Sequence, residues 1–431
     1  MREPLPARRP WRPLAPALVF MAGALFLVAK GNLLATASPA PATPEKALIY
    51  AGWYGNTIPT PSYIASNQDF LESQPFNGMV VYLRNPSMSI NATTGVMTNS
   101  ALSYASISSV LDPIRNLAFT HLLENFAYVV GNSPPDFFDD WSVPIQNFAN
   151  LAHALKDAGI KGIFFDNEEY FSPWAAYPLG VSYPLTPLAD YQSQARLRGK
   201  QVMEAMVAQF PDIVVLTLHG PYISEPAAPW QLGFPSVVDY NALMGPFFAG
   251  FQEGKGSQAT NVDGGELYWL RSASEFQDSY NWRRYDMASS AVNCAFLPPA
   301  LRATWSDSIS IGFGVYDQPS GGRTVSPSSL TTTLANALQQ SDRYVWFYTE
   351  TMTFLAPESA GGATQTWIDA VAAALPAASV PPANPPAPLP SPTVSGTGEE
   401  ARSSCGLLGI EVIPIMLAIG FLRARRRRKA G

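Results

Sequence analysis

Residues 160–171 read IKGIFFDNEEYF, a short apolar run that ends in Asp166, Asn167, Glu168 and Glu169. Three carboxylates in four positions stand out in a chain whose charged residues make up only 14% of the total. On a strand, alternate side chains share a face. Asp166 and Glu168 would then lie together, with Cα atoms ~6.6 Å apart at about 3.3 Å per residue, while Asn167 and Glu169 point away. Carboxylates that close repel, and one of them is driven toward its protonated form. A protonated acid beside an ionised carboxylate is the equipment for cleaving an acetal-type bond. A solvated turn is the plain alternative for the same residues.

Other residues could join them. Glu350 ends the last apolar run, RYVWFYTE, and is the candidate nucleophile. Trp53, Tyr54, Trp346 and Tyr348 offer flat faces for stacking on a ring, and each fits a buried core equally well. Arg84, His219 and Tyr316 close other strand-like runs and are candidate binding residues. Asp263-Gly264-Gly265-Glu266, followed by Tyr268 and Trp269, suits a loop at a site mouth or an ordinary turn. Asp136 to Trp141 offers acids for the mouth or for a helix start. His121, His153 and His219 are scattered, with no HxH, HExxH or cysteine cluster, so no catalytic metal or cofactor is expected. The GxSxG elbow of a serine hydrolase is absent as well.

GIFFDNE resembles the end of the DGxDxDxE motif of family-18 chitinase-like barrels through Gly162, Asp166 and Glu168, with Lys161 and Phe164 in place of the first two aspartates. Asn167-Glu168 is also similar to the Asn-Glu pair that ends strand four in the large clan of retaining glycosidases. Each resemblance spans about ten residues. Both imply a TIM-barrel glycoside hydrolase in which Glu168 is the acid/base. In the retaining clan the nucleophile is a Glu on strand seven, whereas Glu350 falls on the eighth strand-like run.

Such residues need strands to carry them. Strand-like runs occupy Ala47–Tyr54, Gly78–Arg84, Thr120–Tyr128, Gly162–Glu168, Ile213–His219, Tyr240–Phe248, Ile309–Tyr316 and Arg343–Glu350. Helix-like segments lie between many of them, notably Pro144–Ala158, Leu188–Gln209 and Ser326–Gln340. Eight strands with intervening helices predict an α/β fold, a single (β/α)8 barrel over residues 46–375. A doubly wound sheet is the rival, but no glycine-rich phosphate turn follows the first strand. In a barrel the inward parity would carry Phe164, Asp166 and Glu168 in the fourth strand. It would carry Val215, Thr217 and His219 in the fifth, and Tyr344, Trp346, Tyr348 and Glu350 in the eighth. Val80, Tyr82 and Arg84 would face inward from the second, and Ser310, Gly312, Gly314 and Tyr316 from the seventh.

Composition sets the setting. The chain has 431 residues, is 47% hydrophobic and carries a net charge of −6, so a large core is available and nucleic acid is excluded as the partner of the acidic body. The abundance of Trp, Tyr and Pro suits sugar-binding surfaces. Arg2, Arg8, Arg9 and Arg12 precede an apolar run from Leu14 to Ala29, and Ala35-Thr36-Ala37 offers a cleavage site: residues 1–37 read as a signal peptide. Residues 376–402 contain a Pro-rich linker. In 403–431, Ser403-Ser404-Cys405-Gly406, the apolar stretch Leu407–Leu422 and the basic run from Arg423 to Lys429 resemble the tripartite C-terminal sorting signals of bacterial surface proteins, of the Cys-containing myxobacterial type. That resemblance implies transient membrane anchoring, a sorting protease as partner, and a place at the cell surface or in the outer membrane or periplasm. Cys294 and Cys405 are the whole cysteine complement, too few to staple an exported body. Two functions follow as expectations: a surface-tethered enzyme cleaving a polysaccharide or oligosaccharide through Glu168 with Glu350 or Asp166, or a non-catalytic carbohydrate-binding or structural barrel.

Overall fold

FAYVV, GIFFD and VVLT are short runs rich in β-branched and aromatic residues, the composition of strands covered on both faces. In the computed structural model each is a strand of one parallel sheet. The structure describes residues 45–378 except 53–57, 86, 88, 171, 226, 227 and 229–240. The expected signal peptide, the sorting tail, nearly all of the linker, and Trp53 and Tyr54 lie outside the described residues.

Eight strand positions succeed one another: β1 Ala47–Gly52, β2 Gly78–Val81, β3 Phe126–Val130, β4 Gly162–Asp166, β5 Val214–Thr217, β6 Thr260–Asp263, β7 as Ser310–Ile311 and Phe313–Tyr316, and β8 Tyr344–Thr349. β7 is interrupted at Gly312. Its first part pairs with β6 and its second with β8. Since β8 pairs with β1 from Ala47↔Tyr344 to Gly52↔Thr349, the sheet returns to its start as a barrel.

Helices fill the crossovers: α1 Pro61–Ser66, α2 Gln68–Glu72, α3 Tyr104–Leu111, α4 Ser142–Asp157, α5 Leu188–Gln209, α6 Met244–Gly254, α7 Ala273–Asn281, α8 Pro299–Ser308, α9 Pro327–Gln340 and α10 Gln365–Ala378. Local chemistry sets their ends. Gly159, at φ 69°, terminates α4 in the left-handed region that glycine tolerates. Ser272 with Glu275 and Ser326 with Ser329 form capping boxes at α7 and α9. None of the helices among the described residues is long and apolar enough to cross a membrane.

Two strand expectations are corrected. The apolar stretch Tyr240–Phe248 is not the sixth strand: its described part leads into α6, whose Phe247 and Phe251 are buried. α6 lies so close to α5 that a Cβ on Gly199 would overlap the Phe247 carbonyl, and one on Gly250 the Arg196 carbonyl. A short apolar run does not by itself distinguish a buried strand from a buried helix. The sixth strand is the polar, four-residue TNVD of β6. The third begins at Phe126 rather than Thr120, because the Glu72 carboxylate takes the backbone N–H groups of Thr120, His121 and Leu122 and holds them out of the sheet.

The barrel interior is a stack of Ile49, Val80, Phe126, Tyr128, Phe164, Val214, Leu216, Val262, Tyr344 and Trp346. Ile163, Phe165, Phe313, Val345 and Phe347 face the helices, as their parity predicts. β5 is a further correction: Val214 and Leu216 point inward and Val215 outward, the reverse of the expectation. Its run IVVLTL is apolar on both parities, so alternation carries no information there. Below the stack, Glu124 accepts hydrogen bonds from Arg343 at 2.6 Å and the Tyr344 hydroxyl at 2.8 Å, with Lys161 3.7 Å away.

Candidate active site

β4 delivers its acids where its parity requires. Asp166 is 3% exposed, and its Oδ2 accepts the Tyr128 hydroxyl from β3 at 2.6 Å. The backbone N–H of Glu168 donates to Asp166 Oδ1 at 3.2 Å, which folds the chain tightly past the strand end. Glu168 is about a third exposed (32%) and accepts the Tyr170 hydroxyl. Glu169 turns away and accepts the Ala175 N–H. Asn167 also turns away from the acids but is not idle. Its amide donates to the His219 carbonyl at 2.8 Å and accepts the His219 N–H at 3.1 Å, extending the β4–β5 pairing by one side-chain rung.

That rung brings His219 to the mouth despite the reversed parity of β5. His219 Nδ1 lies 3.0 Å from the Tyr222 hydroxyl, so the ring is held by one nitrogen and presents the other to the acids. Nε2 is 3.6 Å from Glu168 Oε1 and 3.3 Å from Glu266 Oε2.

Glu266 comes from the loop after β6. Gly265 adopts φ 56°, and a Cβ there would overlap the Arg283 guanidinium. Arg283, fully buried, donates to Asp263 Oδ1 at 2.8 Å, to the Asp263 carbonyl at 3.1 Å and to the Gly312 carbonyl at 2.9 Å. The Trp346 indole N–H donates to the Gly264 carbonyl at 2.9 Å. The loop is thus clamped from below and behind, and Glu266 stands beside Glu168. Ligand atoms of Glu168, His219 and Glu266 all lie within 4.8 Å of one another, the one such metal-capable cluster among the described residues.

The rim is aromatic. Tyr268, Tyr316 and Tyr348 stack with ring centroids 4.7–6.0 Å apart, and the planes of Tyr268 and Tyr348 differ by only 9°. Glu350, exposed, accepts the Tyr316 hydroxyl. Trp346 is 1% exposed and supports Tyr268 from beneath, so it braces the platform and has no free face for a ligand. Arg84 is exposed on a small hairpin, Arg84–Asn85 against Ile90–Asn91, and makes none of the contacts of the acidic cluster. A separate surface recess of about 510 Å³, lined in part by Arg271, Arg323 and Thr332, contains none of the acids, and its Arg323 is already paired with Glu275 at 2.6 Å.

Burial and charge set the protonation pattern. Burial, with the Glu168 charge beside it, pushes Asp166 up to about 8, against the hydrogen bonds it receives. Glu266 is held well above the usual carboxylate range by burial and by the charges of Glu168 and Asp166, with Tyr268 as a weaker opposing hydrogen bond. Glu168 moves the other way. Burial would raise it, but the hydrogen bond and charge of His219 and the Tyr170 hydroxyl outweigh that effect and lower it. Asp166 and Glu266 are thus biased toward their protonated forms and Glu168 toward its ionised one.

Sequence reasoning did not single out Tyr128, Tyr170 or Arg283, and it read Asn167 as half of an Asn-Glu pair pointing away from the acids, without its rung to His219.

No family model matches the chain, and no curated protein matches it in sequence. Solved structures are similar at low identity. A broad-specificity endoglucanase from an uncultured bacterium is 11% identical, with 76% of this chain and 86% of that one covered and a TM-score of 0.39. The catalytic domain of a chitinase from Pyrococcus furiosus is 10% identical over 78% and 97% of the two chains, with a TM-score of 0.41. A 3-keto-D-glucoside 4-epimerase from E. coli is 14% identical over 76% and 98%, at 0.36. At these values function has to be argued from the site.

Proposed function

We propose that the chain is a glycoside hydrolase acting on a polysaccharide, exported by its N-terminal segment and tethered at the surface by its C-terminal one. The observation that carries the reading is the Glu168–Glu266 pair: two carboxyls within 4.8 Å of each other at their nearest atoms, displaced in opposite directions from the ordinary carboxylate range. Two acids held apart in this way divide into a proton donor and an ionised partner. Glu266 is the protonated acid that delivers a proton to the leaving oxygen, and Glu168 is the ionised group that faces the anomeric carbon.

Glu168 keeps the central place expected from its motif, with the donor role passing to its neighbour in the resting site. Glu266 takes the place as partner for which Glu350 and Asp166 were the candidates. We assign retention through a covalent intermediate on Glu168, and the anomer first released by the enzyme tests it. In the second half of such a cycle Glu266, now ionised, would take the proton from water. Asp166, biased toward its neutral form, accepts the Tyr128 hydroxyl and the Glu168 N–H and so fixes the backbone that carries Glu168. Tyr268, Tyr316 and Tyr348 form a platform for a sugar ring, with Glu350 at its edge accepting hydroxyls.

The test is a glycan panel incubated with the purified protein and with Glu168→Gln and Glu266→Gln. Cleavage by the parent and its loss in both variants, with binding retained, supports the assignment. Binding without cleavage by the parent would replace it with the non-catalytic carbohydrate-binding reading. N-terminal sequencing and intact mass of the protein from its native envelope test the export and tethering: removal of about 37 residues at the front and of the tail after the Ser403–Gly406 motif is expected.

A further inference from the structure

The same three side chains that would do the chemistry have a second property, which follows from their donor atoms. We infer that Glu168, His219 and Glu266 form a binding site for a divalent transition ion of the Zn²⁺ class, and that loading it silences the carboxylate pair. The silencing rests on the hydrolytic reading, whereas the site itself does not.

Geometry is the first support. With metal–ligand bonds of about 2.0–2.1 Å, the donor atoms of a tetrahedral site stand roughly 3.3–3.4 Å apart. His219 Nε2 is 3.3 Å from Glu266 Oε2 and 3.6 Å from Glu168 Oε1, close to two edges of such a tetrahedron. The third edge, between the two carboxylates, lies within 4.8 Å and closes by rotation of Glu168, the more exposed of the two.

The state of the donors is the second support. Glu266 Oε2 is buried and accepts no hydrogen bond, so it is desolvated without compensation. It has the His219 nitrogen as its near neighbour, and a cation there would relieve it. His219 is braced through Nδ1 by the Tyr222 hydroxyl and through its backbone by Asn167, the arrangement that fixes a ligating imidazole. One imidazole and two carboxylates suit Zn²⁺, whereas Mg²⁺ and Ca²⁺ seek six or more oxygens. The partial exposure of Glu168 leaves a fourth position for water. An ion so held neutralises Glu168 and prevents Glu266 from carrying a proton, and both halves of the acid/base pair are lost together.

The experiment uses the whole protein, stripped with a chelator, desalted and titrated with Zn²⁺ by calorimetry near neutral pH, with metal content measured after gel filtration. One ion per chain is expected, with affinity falling at least about tenfold in His219→Gln and in Glu266→Gln while both variants keep the parent circular-dichroism spectrum. His153→Gln serves as a control, because His153 lies 3.6 Å from Asp157 on α4 and could bind metal adventitiously. Its affinity should equal that of the parent. Co²⁺ in place of Zn²⁺ should give a tetrahedral visible spectrum that disappears in His219→Gln. No saturable binding, or binding unchanged in His219→Gln and Glu266→Gln, overturns the site. In the activity arm, stripped protein should cleave its glycan and lose that activity on Zn²⁺ addition. Zn²⁺-dependent cleavage would overturn the silencing and the acid/base reading together. Zn²⁺ binding without cleavage by either form would leave the site standing and remove the hydrolytic reading.

Discussion

Asp166, Glu168 and Glu266 cannot all be ionised in so small and so poorly hydrated a space. Their unequal surroundings decide which gives up its charge. If Glu168 must be ionised and Glu266 protonated, cleavage should rise with pH through the lowered range of Glu168. It should fall again as Glu266, held well above the usual range, and Asp166, at about 8, lose their protons. Glu266→Gln should abolish the alkaline limb set by that residue and cost about 10²–10⁴-fold in kcat, read from a kcat–pH profile on the cleaved glycan. Asp166 also makes a stability prediction. Its folded value is raised above the unfolded one, so no penalty exists below about pH 4, where both states are protonated. Stability then falls as pH climbs toward 8, because the unfolded chain releases a proton that the folded one keeps. Asp166→Asn should therefore raise the melting temperature by at least about 2 °C at pH 8 and leave it nearly unchanged at pH 4, measured by scanning calorimetry at the two pH values. Of these residues, Asp166 and Glu168 were legible in the sequence, because the alternation of GIFFDNE sorts them onto one face. Glu266 was legible as a candidate substrate-binding residue of an acidic loop and not as a partner acid, because the strand that presents it is the polar TNVD rather than the apolar Tyr240–Phe248.

At the level of elements, the segment from β6 to the interrupted β7 does the positioning. The Asp263–Arg283 pair is buried at 1% and 0% side-chain exposure and ties β6 to the Gly312 carbonyl of β7. Taking Arg283 away strands the Asp263 charge and two carbonyls, whereas neutralising the acid as well removes the largest of those costs. Arg283→Met should destabilise the fold by about 3–5 kcal/mol, and Asp263→Asn combined with Arg283→Met should recover a large part of that loss, read from denaturant midpoints at equal slope. Gly265→Ala meets the same guanidinium from the other side, in a backbone region unfriendly to alanine. Its expected signature is a fall in kcat larger than its fall in melting temperature, because Glu266 is the next residue. The sequence did not disclose this strut. TNVD is short and polar for a central strand, and Arg283 is 20 residues downstream of the acid it neutralises. By contrast α4 and α9 were plain, since their apolar spacing coincides with the Gly159 stop and the Ser326 cap.

For the molecule as a whole, the register of β1 on β8 joins the two ends of the barrel, and α10 packs onto α9 with Val371 and Ala374 buried. A chain covering residues 45–378 contains every element of that closure. It should unfold in one cooperative transition and cleave glycan at the rate of the full protein, whereas ending it before α10 should broaden the transition and lower its midpoint, as followed by circular dichroism. The barrel was visible from the succession of strands and helices. The break in β7, whose two parts pair with β6 and β8, was not, because a strand interrupted at one glycine reads in sequence as a strand like any other. The floor described above has a consequence of its own. Glu124, Arg343, Tyr344 and Lys161 cluster at the lower end, and the apolar stack lies between them and the acids. Sugar, water and protons would then reach Asp166 and Glu168 from one side, the mouth. A ligand lodged on Tyr268, Tyr316 and Tyr348 would therefore slow the exchange of the Asp166 proton with solvent as well as the entry of the next chain.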